Sequence, residues 1–210
     1  MSKANLLHTD IYGGRDPREI PAYRFVDAAI YLNIPADLIR EGLEKFGGVG
    51  RRFEIKAQAN GVTLIDDYGH HPAEIRATLE AARGCNYKRL LVLFQPHRYT
   101  RTKELWDEFC RAFNQADALL LTDIYAASEA PIPGITGEAL ADAVREAGHK
   151  QVVYCASMQE GIEWLLREAR PGDAVMTIGA GSVGRAADEL ALLIGSKVEA
   201  GDAERRRRNL

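Results

Sequence analysis

Three cysteines are all that the 210 residues contain, and Cys85, Cys110 and Cys155 lie far apart with no C-x-x-C among them. Neither a disulfide framework nor a zinc ribbon can be built from that set, and a reducing, cytoplasmic setting is expected. Long apolar runs are lacking too. No stretch approaches the roughly 20 residues that span a bilayer, and the first residues have no apolar core of the kind a secretory signal needs. Nor is there much excess charge: 27 Lys and Arg against 30 Asp and Glu leave a formal charge of -3, which argues against an electrostatically driven nucleic-acid binder. The one basic run, Arg205 to Arg208, follows a stretch without apolar periodicity and reads as part of a solvated tail over 196–210. Also absent is G-x-x-x-x-G-K-[ST], whose amides and lysine wrap nucleotide phosphates. These residues by themselves therefore cannot hold ATP in the P-loop manner.

What remains is ordinary globular material, with 46% hydrophobic and 27% charged residues in a length that suits one large domain or one domain plus part of another. Residues 1–21 show no sustained periodicity. Ala22 to Leu32 and Ala36 to Phe46 have helical spacing and read as two short helices, the end of a preceding domain over residues 1–46. Gly47-Gly48-Val49-Gly50 with Arg51 and Arg52 forms a candidate hinge over 47–52. From Arg52 to Ala59 the alternation is that of a strand, Asn60-Gly61 is a hairpin turn, and Val62 to Ile65 is the return strand.

After that, helices and strands alternate. Helices are expected over Pro72 to Arg83, Thr102 to Gln115, Gly137 to Ala147, Met158 to Ala169 and Ser182 to Ile194. Strands are expected over Lys88 to Phe94, Ala118 to Asp123, Val152 to Cys155 and Ala174 to Ile178. Short apolar strands separated by helices imply a Rossmann-like, doubly wound α/β domain over 53–195. Its sheet would be mostly parallel, with helices on both faces and right-handed crossovers.

In such a sheet the loops after the strands open on one edge, where ligands bind. Those loops hold Asp66-Asp67-Tyr68-Gly69-His70-His71, Gln95-Pro96-His97-Arg98-Tyr99-Thr100-Arg101-Thr102, Asp123-Ile124-Tyr125 and Gly179-Ala180-Gly181-Ser182-Val183-Gly184. Five polar or ionisable side chains in six positions before Pro72 exceed what a helix cap needs. Arginines there suit a carboxylate or phosphate, and Arg98 and Arg101, three apart at a helix mouth, could meet one anion. A metal on His70, His71 and His97 matches no standard zinc spacing, so no metal is expected. Gly179-x-Gly181-x-x-Gly184 has the strand-to-helix context of a dinucleotide fingerprint, which leaves a dinucleotide-binding oxidoreductase as an alternative. It falls on the last strand, however, and reads better as an amide-lined turn at a helix start near an anion.

Three strings, Gly48-Val49-Gly50-Arg51-Arg52-Phe53, Asp66 to Pro72 and Phe94 to Thr102, together resemble the Mur ligase family. The resemblance runs from about the second helix to Ile194 and is to the carboxyl-terminal domain. It implies an ATP-dependent ligase with three domains, the others binding a UDP-sugar and, through a P-loop, ATP and Mg. The branch with this second loop joins L-alanine to UDP-N-acetylmuramate through an acyl phosphate, in peptidoglycan precursor synthesis. The sibling branch, which attaches a recycled tripeptide, shares the first turn but not Gln95 to Tyr99. By resemblance, Arg52 reaches ATP phosphates, Asp67 meets or orients the nucleotide, and His70 joins them in catalysis. Tyr68, His70, His97, Arg98, Arg101, Gly181 and Ser182 line the substrate pocket. Arg18-Glu19-Ile20-Pro21 departs from the family's central-domain pattern, and the P-loop and UDP-sugar domains lie outside these residues. The chain alone is expected to be inactive.

Overall fold

The computed structural model describes residues 35, 37, 38, 41 and 50–208, with side chains up to residue 195. The chain divides into two units, Met1–Gly47 and Gly48–Leu210. In the first, Asp37, Leu38 and Glu41 are helical; the helix expected over Ala22 to Leu32 and most of that over Ala36 to Phe46 lie outside the described residues.

The second unit is built on a six-stranded sheet of order β1-β2-β6-β3-β4-β5. Its first strands, β1 (Glu54–Ala59) and β2 (Val62–Asp67), form an antiparallel hairpin in which Ala59 pairs with Val62. Between them Asn60 (φ 55°) and Gly61 (φ 74°) are both left-handed, the geometry of a type I′ turn that Asn-Gly favours. The other strands, β3 (Leu90–Phe94), β4 (Ala118–Thr122), β5 (Val152–Cys155) and β6 (Ala174–Ile178), are parallel to β2 and one another.

Residue alternation decides which layer each strand feeds. Leu90, Val92 and Phe94 of β3 pack under α1 (Pro72–Gly84), and the same core takes in Phe109, Phe113, Leu140 and Val144. Leu91 and Leu93 face the opposite core, with Ile162 and Leu165 of α5 (Met158–Glu168) and Leu190 of α6 (Val183–Arg208). A parallel sheet buried on both faces is thereby reached, as its uninterrupted apolar strands require.

Beyond shifts of one or two residues at other element ends, three differences from expectation have a physical cause. β2 runs on through Asp67 instead of stopping at Ile65, because both carboxylates find buried partners. The helix expected over Thr102 to Gln115 begins earlier and is split into α2 (Tyr99–Glu104) and α3 (Trp106–Phe109). Leu105 leaves helical geometry (φ -108°, ψ 22°), and the chain beyond tightens into i→i+3 bonds, Arg111 to Glu108 and Ala112 to Phe109. Phe109 and Phe113 there pack on Phe94. Finally, α6 continues to Arg208 through residues expected as tail, a stretch rich in Ala, Glu and Arg, which favour helix. The remaining helix is α4 (Gly137–Glu146), capped by the Thr136 hydroxyl. Among the described residues no helix is long and apolar enough to cross a membrane.

Candidate functional site

The carboxyl ends of β2, β6 and β3 finish level, Asp67 and Phe94 both pairing with Ile178. Strand order reverses here, since β2 leads by way of α1 to β3 while β6 returns between them. Open α/β sheets form ligand crevices at such points.

Beneath that edge sit two buried carboxylates. Asp66 is 1% exposed; it accepts Arg51 Nε at 2.6 Å and the Thr177 hydroxyl at 2.7 Å. Asp67 accepts the backbone N–H of Phe53 at 2.8 Å and of Gly69 at 2.7 Å. Each charge is thus compensated, as burial demands. The consequence is mechanical. Arg51 and Phe53 hold left-handed backbone (φ 57° and 49°) against the end of β2, where Tyr68 N–H donates to Arg51 O at 2.6 Å. Arg52, between them, is presented at the edge.

From Arg52 a row of charged and aromatic groups crosses the edge. The guanidinium carbons of Arg51 and Arg52 lie 5.2 and 5.6 Å from the Tyr68 ring centroid, within cation–π range. Tyr68 meets His70 edge-on at 5.4 Å, His70 meets His97 at 5.8 Å, and His97 stacks on Tyr125 at 5.5 Å. Arg101 Nη1 lies 3.1 Å from His97 Nδ1 and 3.2 Å from its carbonyl. Arginine only donates, so Nδ1 is the accepting nitrogen and His97 carries its proton on Nε2. Burial, and then the Arg101 charge, hold His97 below its ordinary pKa and keep it neutral. His70 has the other tautomer available, its Nδ1 lying 3.1 Å from the Tyr68 carbonyl.

His71 turns the other way. Its Nδ1 accepts from Ala73 N–H at 3.4 Å, capping α1, and Glu74 accepts from the His70 and His71 amides at 3.0 and 3.2 Å. Burial works against the Glu74 carboxylate, but those two amides, together with charge from His70 and Arg52, outweigh it and lower its pKa. Among the described residues no group of three His, Cys, Asp or Glu is placed to hold a metal.

Arg98 and Arg101 have separate partners. Arg98 Nη1 faces Glu129 Oε1 at 3.8 Å, whereas Arg101 belongs to His97. Glu129 also accepts from the Thr100 amide (3.0 Å) and hydroxyl (2.7 Å); these bonds, the amide first, hold its carboxyl below the usual value.

Each glycine of the loop after β6 makes room for a site residue. At Gly179 (φ +144°) a Cβ would stand 2.8 Å from Gln95 O; at Gly181, 2.5 Å from Gln95 Oε1 and 2.7 Å from Tyr125; at Gly184, 2.6 Å from the Arg51 guanidinium carbon. Gln95 in turn bonds the Ser182 hydroxyl (3.1 Å) and accepts from Val183 N–H (3.1 Å), capping α6. The G-x-G-x-x-G spacing therefore serves this domain's own side chains.

Of the residues singled out in the sequence, Arg52, Tyr68, His70, His97 and Arg101 fall in one row, with Gly181 against Tyr125. Ser182 lies beside Gln95, Arg98 lies beside Glu129, and Asp67 is beneath the surface. Sequence reasoning passed over Arg51, Gln95, Tyr125 and Glu129 as site residues. Gln95 and Tyr125 could have been found as polar or aromatic residues just after apolar strands; nothing local marks Glu129.

Fold and edge define a doubly wound α/β domain whose carboxyl edge is lined with arginines and rings. The family model described as "Mur ligase, glutamate ligase domain" matches residues 51–181, and the chain belongs to the Mur ligase family. It is 52% identical over 165 residues to the UDP-N-acetylmuramate--L-alanine ligase of Solibacter usitatus, covering 79% of this chain and 35% of that protein. With the enzyme of the same name from Anaeromyxobacter sp. it shares 53% over 169 residues, 80% of this chain and 37% of the other. Among solved structures, UDP-N-acetylmuramate-alanine ligase MurC from Thermotoga maritima aligns with TM-score 0.64 and 25% identity, over 85% of this chain and 39% of that one. The chain spans about a third of the length of these curated relatives. Family membership overturns the oxidoreductase alternative raised by the glycine pattern.

Proposed function

We propose that residues 51–195 form the closing domain of an ATP-dependent ligase that joins L-alanine to UDP-N-acetylmuramate. The observation that carries this reading is the row from Arg52 through Tyr68, His70 and His97 to Tyr125, in a chain about half identical to ligases of that name. In the reaction, the muramyl carboxylate attacks the terminal phosphorus of ATP, ADP leaves, and the alanine amine displaces phosphate from the acyl carbon. An acyl phosphate must be kept from water and beside the amine, which a domain closing over it achieves.

Each residue then has a task. Arg52, nearly half exposed and held by its clamped neighbours, reaches the ATP phosphates. Asp67 acts by orienting Phe53 and Gly69, and with them Arg52 and the turn that faces the nucleotide. Arg98 takes the alanine carboxylate. Arg101 adds to burial in keeping His97 neutral, while Tyr68, His97, Gly181 and Ser182 wall the pocket. His70, with Nδ1 donating to the Tyr68 carbonyl, presents a lone pair on Nε2 that can accept the proton of the alanine ammonium. The described residues do not fit a magnesium site, since Asp66 and Asp67 are buried with their oxygens engaged. ATP and its metal are held by a P-loop domain outside these residues. The tripeptide-adding sibling activity ranks second, because the relatives named above act on alanine by name.

The test is to combine this chain with the UDP-sugar and P-loop domains of a relative and follow ADP formation. Alanine-dependent ADP is expected from the mixture, none from the chain alone, and a fall of about tenfold or more in kcat/KM with Arg98→Ala, the worth of one charge-assisted contact. Activity that depends on tripeptide but not alanine would overturn the assignment.

A further inference from the structure

Three residues with backbone angles that side-chain-bearing residues rarely adopt crowd one patch: Arg98 (φ 72°), Ala127 (φ 48°) and Ser128 (φ 71°). Such strain persists only where surrounding contacts hold it. Here the loops after β3 and β4 hold each other. Tyr125 N–H donates to Pro96 O and Arg98 N–H to Tyr125 O, both at 2.8 Å, a short parallel ladder beyond the ends of the strands. Ala127 and Ser128 then turn the chain back, with Glu129 N–H closing on Ala126 O at 3.0 Å.

That turn delivers the Glu129 carboxylate to the start of α2. The cap residue of α2 is Arg98, whose side chain makes no capping bond, so the first amides lack their usual local acceptor. Glu129 supplies it from another loop, through the two Thr100 bonds described above. Its reach to Arg98 is looser, at 3.8 Å, and the Arg98 side chain is 49% exposed.

We infer that Glu129 is a positioning residue for the amino-acid subsite: it caps α2 from the neighbouring loop and sets the direction of Arg98, leaving most guanidinium donors to an incoming carboxylate. The inference rests on the ligase reading above. Because Glu129 acts through Arg98, its loss falls on amino-acid affinity and leaves nucleotide affinity alone. A residue that merely stapled two loops would alter stability without that selectivity.

Glu129→Gln and Glu129→Asp test it in two settings. In the chain itself, Thr100 amide exchange is expected to quicken in Glu129→Gln. In the reconstituted ligase, the KM for alanine is expected to rise about tenfold, as for one charge-assisted contact, with the KM for ATP unchanged and kcat altered far less. Glu129→Asp, which keeps the charge, is expected to recover part of that loss. Unchanged Thr100 exchange would refute the cap. Equal rises in both KM values, or a fall in kcat alone, would refute the positioning role. Absence of alanine-dependent ADP formation by the unaltered mixture would refute the ligase reading itself, with the exchange measurement still deciding the cap.

Discussion

The guanidinium of Arg51 fills the space a side chain at position 184 would need: a Cβ on Gly184 would stand 2.6 Å from its central carbon. The same arm neutralises Asp66 and, through Nη2, donates to Gly179 O at 2.7 Å. It ties the entry of the domain to the loops after β2 and β6.

Gly184→Ala should therefore destabilise the fold although alanine favours helix. Pushing Arg51 off a buried carboxylate is expected to cost roughly 2–4 kcal/mol, somewhat below a fully buried pair because the arginine is partly exposed. Gly195→Ala in the same helix meets nothing within 4 Å and should be neutral or stabilising by up to ~1 kcal/mol. Urea midpoints moving in opposite directions for the two variants would bear out the contact; equal shifts would remove it.

Removing the arm directly gives a second check. Arg51→Met leaves Asp66 buried and unpaired, at about 3 kcal/mol. Adding Asp66→Asn takes away the charge, so the double variant should be more stable than Arg51→Met alone. Additive losses in the two-residue cycle would mean that the pair is not coupled.

Acid should loosen the domain through two histidines. His97 and His149 are both held below the ordinary value of 6.5, in each case by burial first, with the Arg101 charge added at His97. Between folded and ordinary pKa the unfolded chain binds more protons, so stability rises with pH there. Their contribution is complete above about pH 6.5 and is lost as pH falls from there through the folded pKa. His149 accepts Gln151 N–H at Nδ1 (3.3 Å), a bond protonation would break. Urea unfolding at about pH 7.5 and 5.5 should show a smaller loss in His149→Gln than in the parent; an equal loss would clear this residue.

Alkali should act at Tyr154. Its hydroxyl donates to Asp123 at 2.6 Å, and that bond, with burial and the Asp123 charge, pushes the phenol up to about 12. A raised folded pKa gives stability that is present below the ordinary value of 10 and is lost as pH rises toward 12. Absorbance titration should show the Tyr154 phenol still un-ionised near pH ~11, and Asp123→Asn should let it ionise at lower pH, by less than the full shift because burial remains.

The hairpin turn, both ends of β5 and β6, and the start of α1 at Pro72 were legible because their signals are local: Asn-Gly chemistry, apolar runs between turns, proline at a helix start. Shared loops on one edge follow from parallel topology, which is why Tyr68, His70, His97 and Arg101 could be gathered from the sequence alone. Pairings across long separations could not. Asp66 looks like a loop residue until Arg51 and Thr177 are brought to it, and Glu129 gains meaning only when Ala127 and Ser128 bend the chain onto Thr100. The break at Leu105 was hidden too, since the apolar spacing from Leu105 to Phe113 suits one continuous helix.

Because β1 runs antiparallel to its neighbour, the chain enters this domain at the same edge that carries the arginine and ring row. Had β1 been parallel, the entry would lie a strand length away, about 20 Å for its six residues. If the proposed closure turns about a pivot near Gly50, Arg52 would have almost no lever arm and the opposite edge of the sheet a long one. A large swing of the body would then come down to a small, fine adjustment at the arginine and ring row.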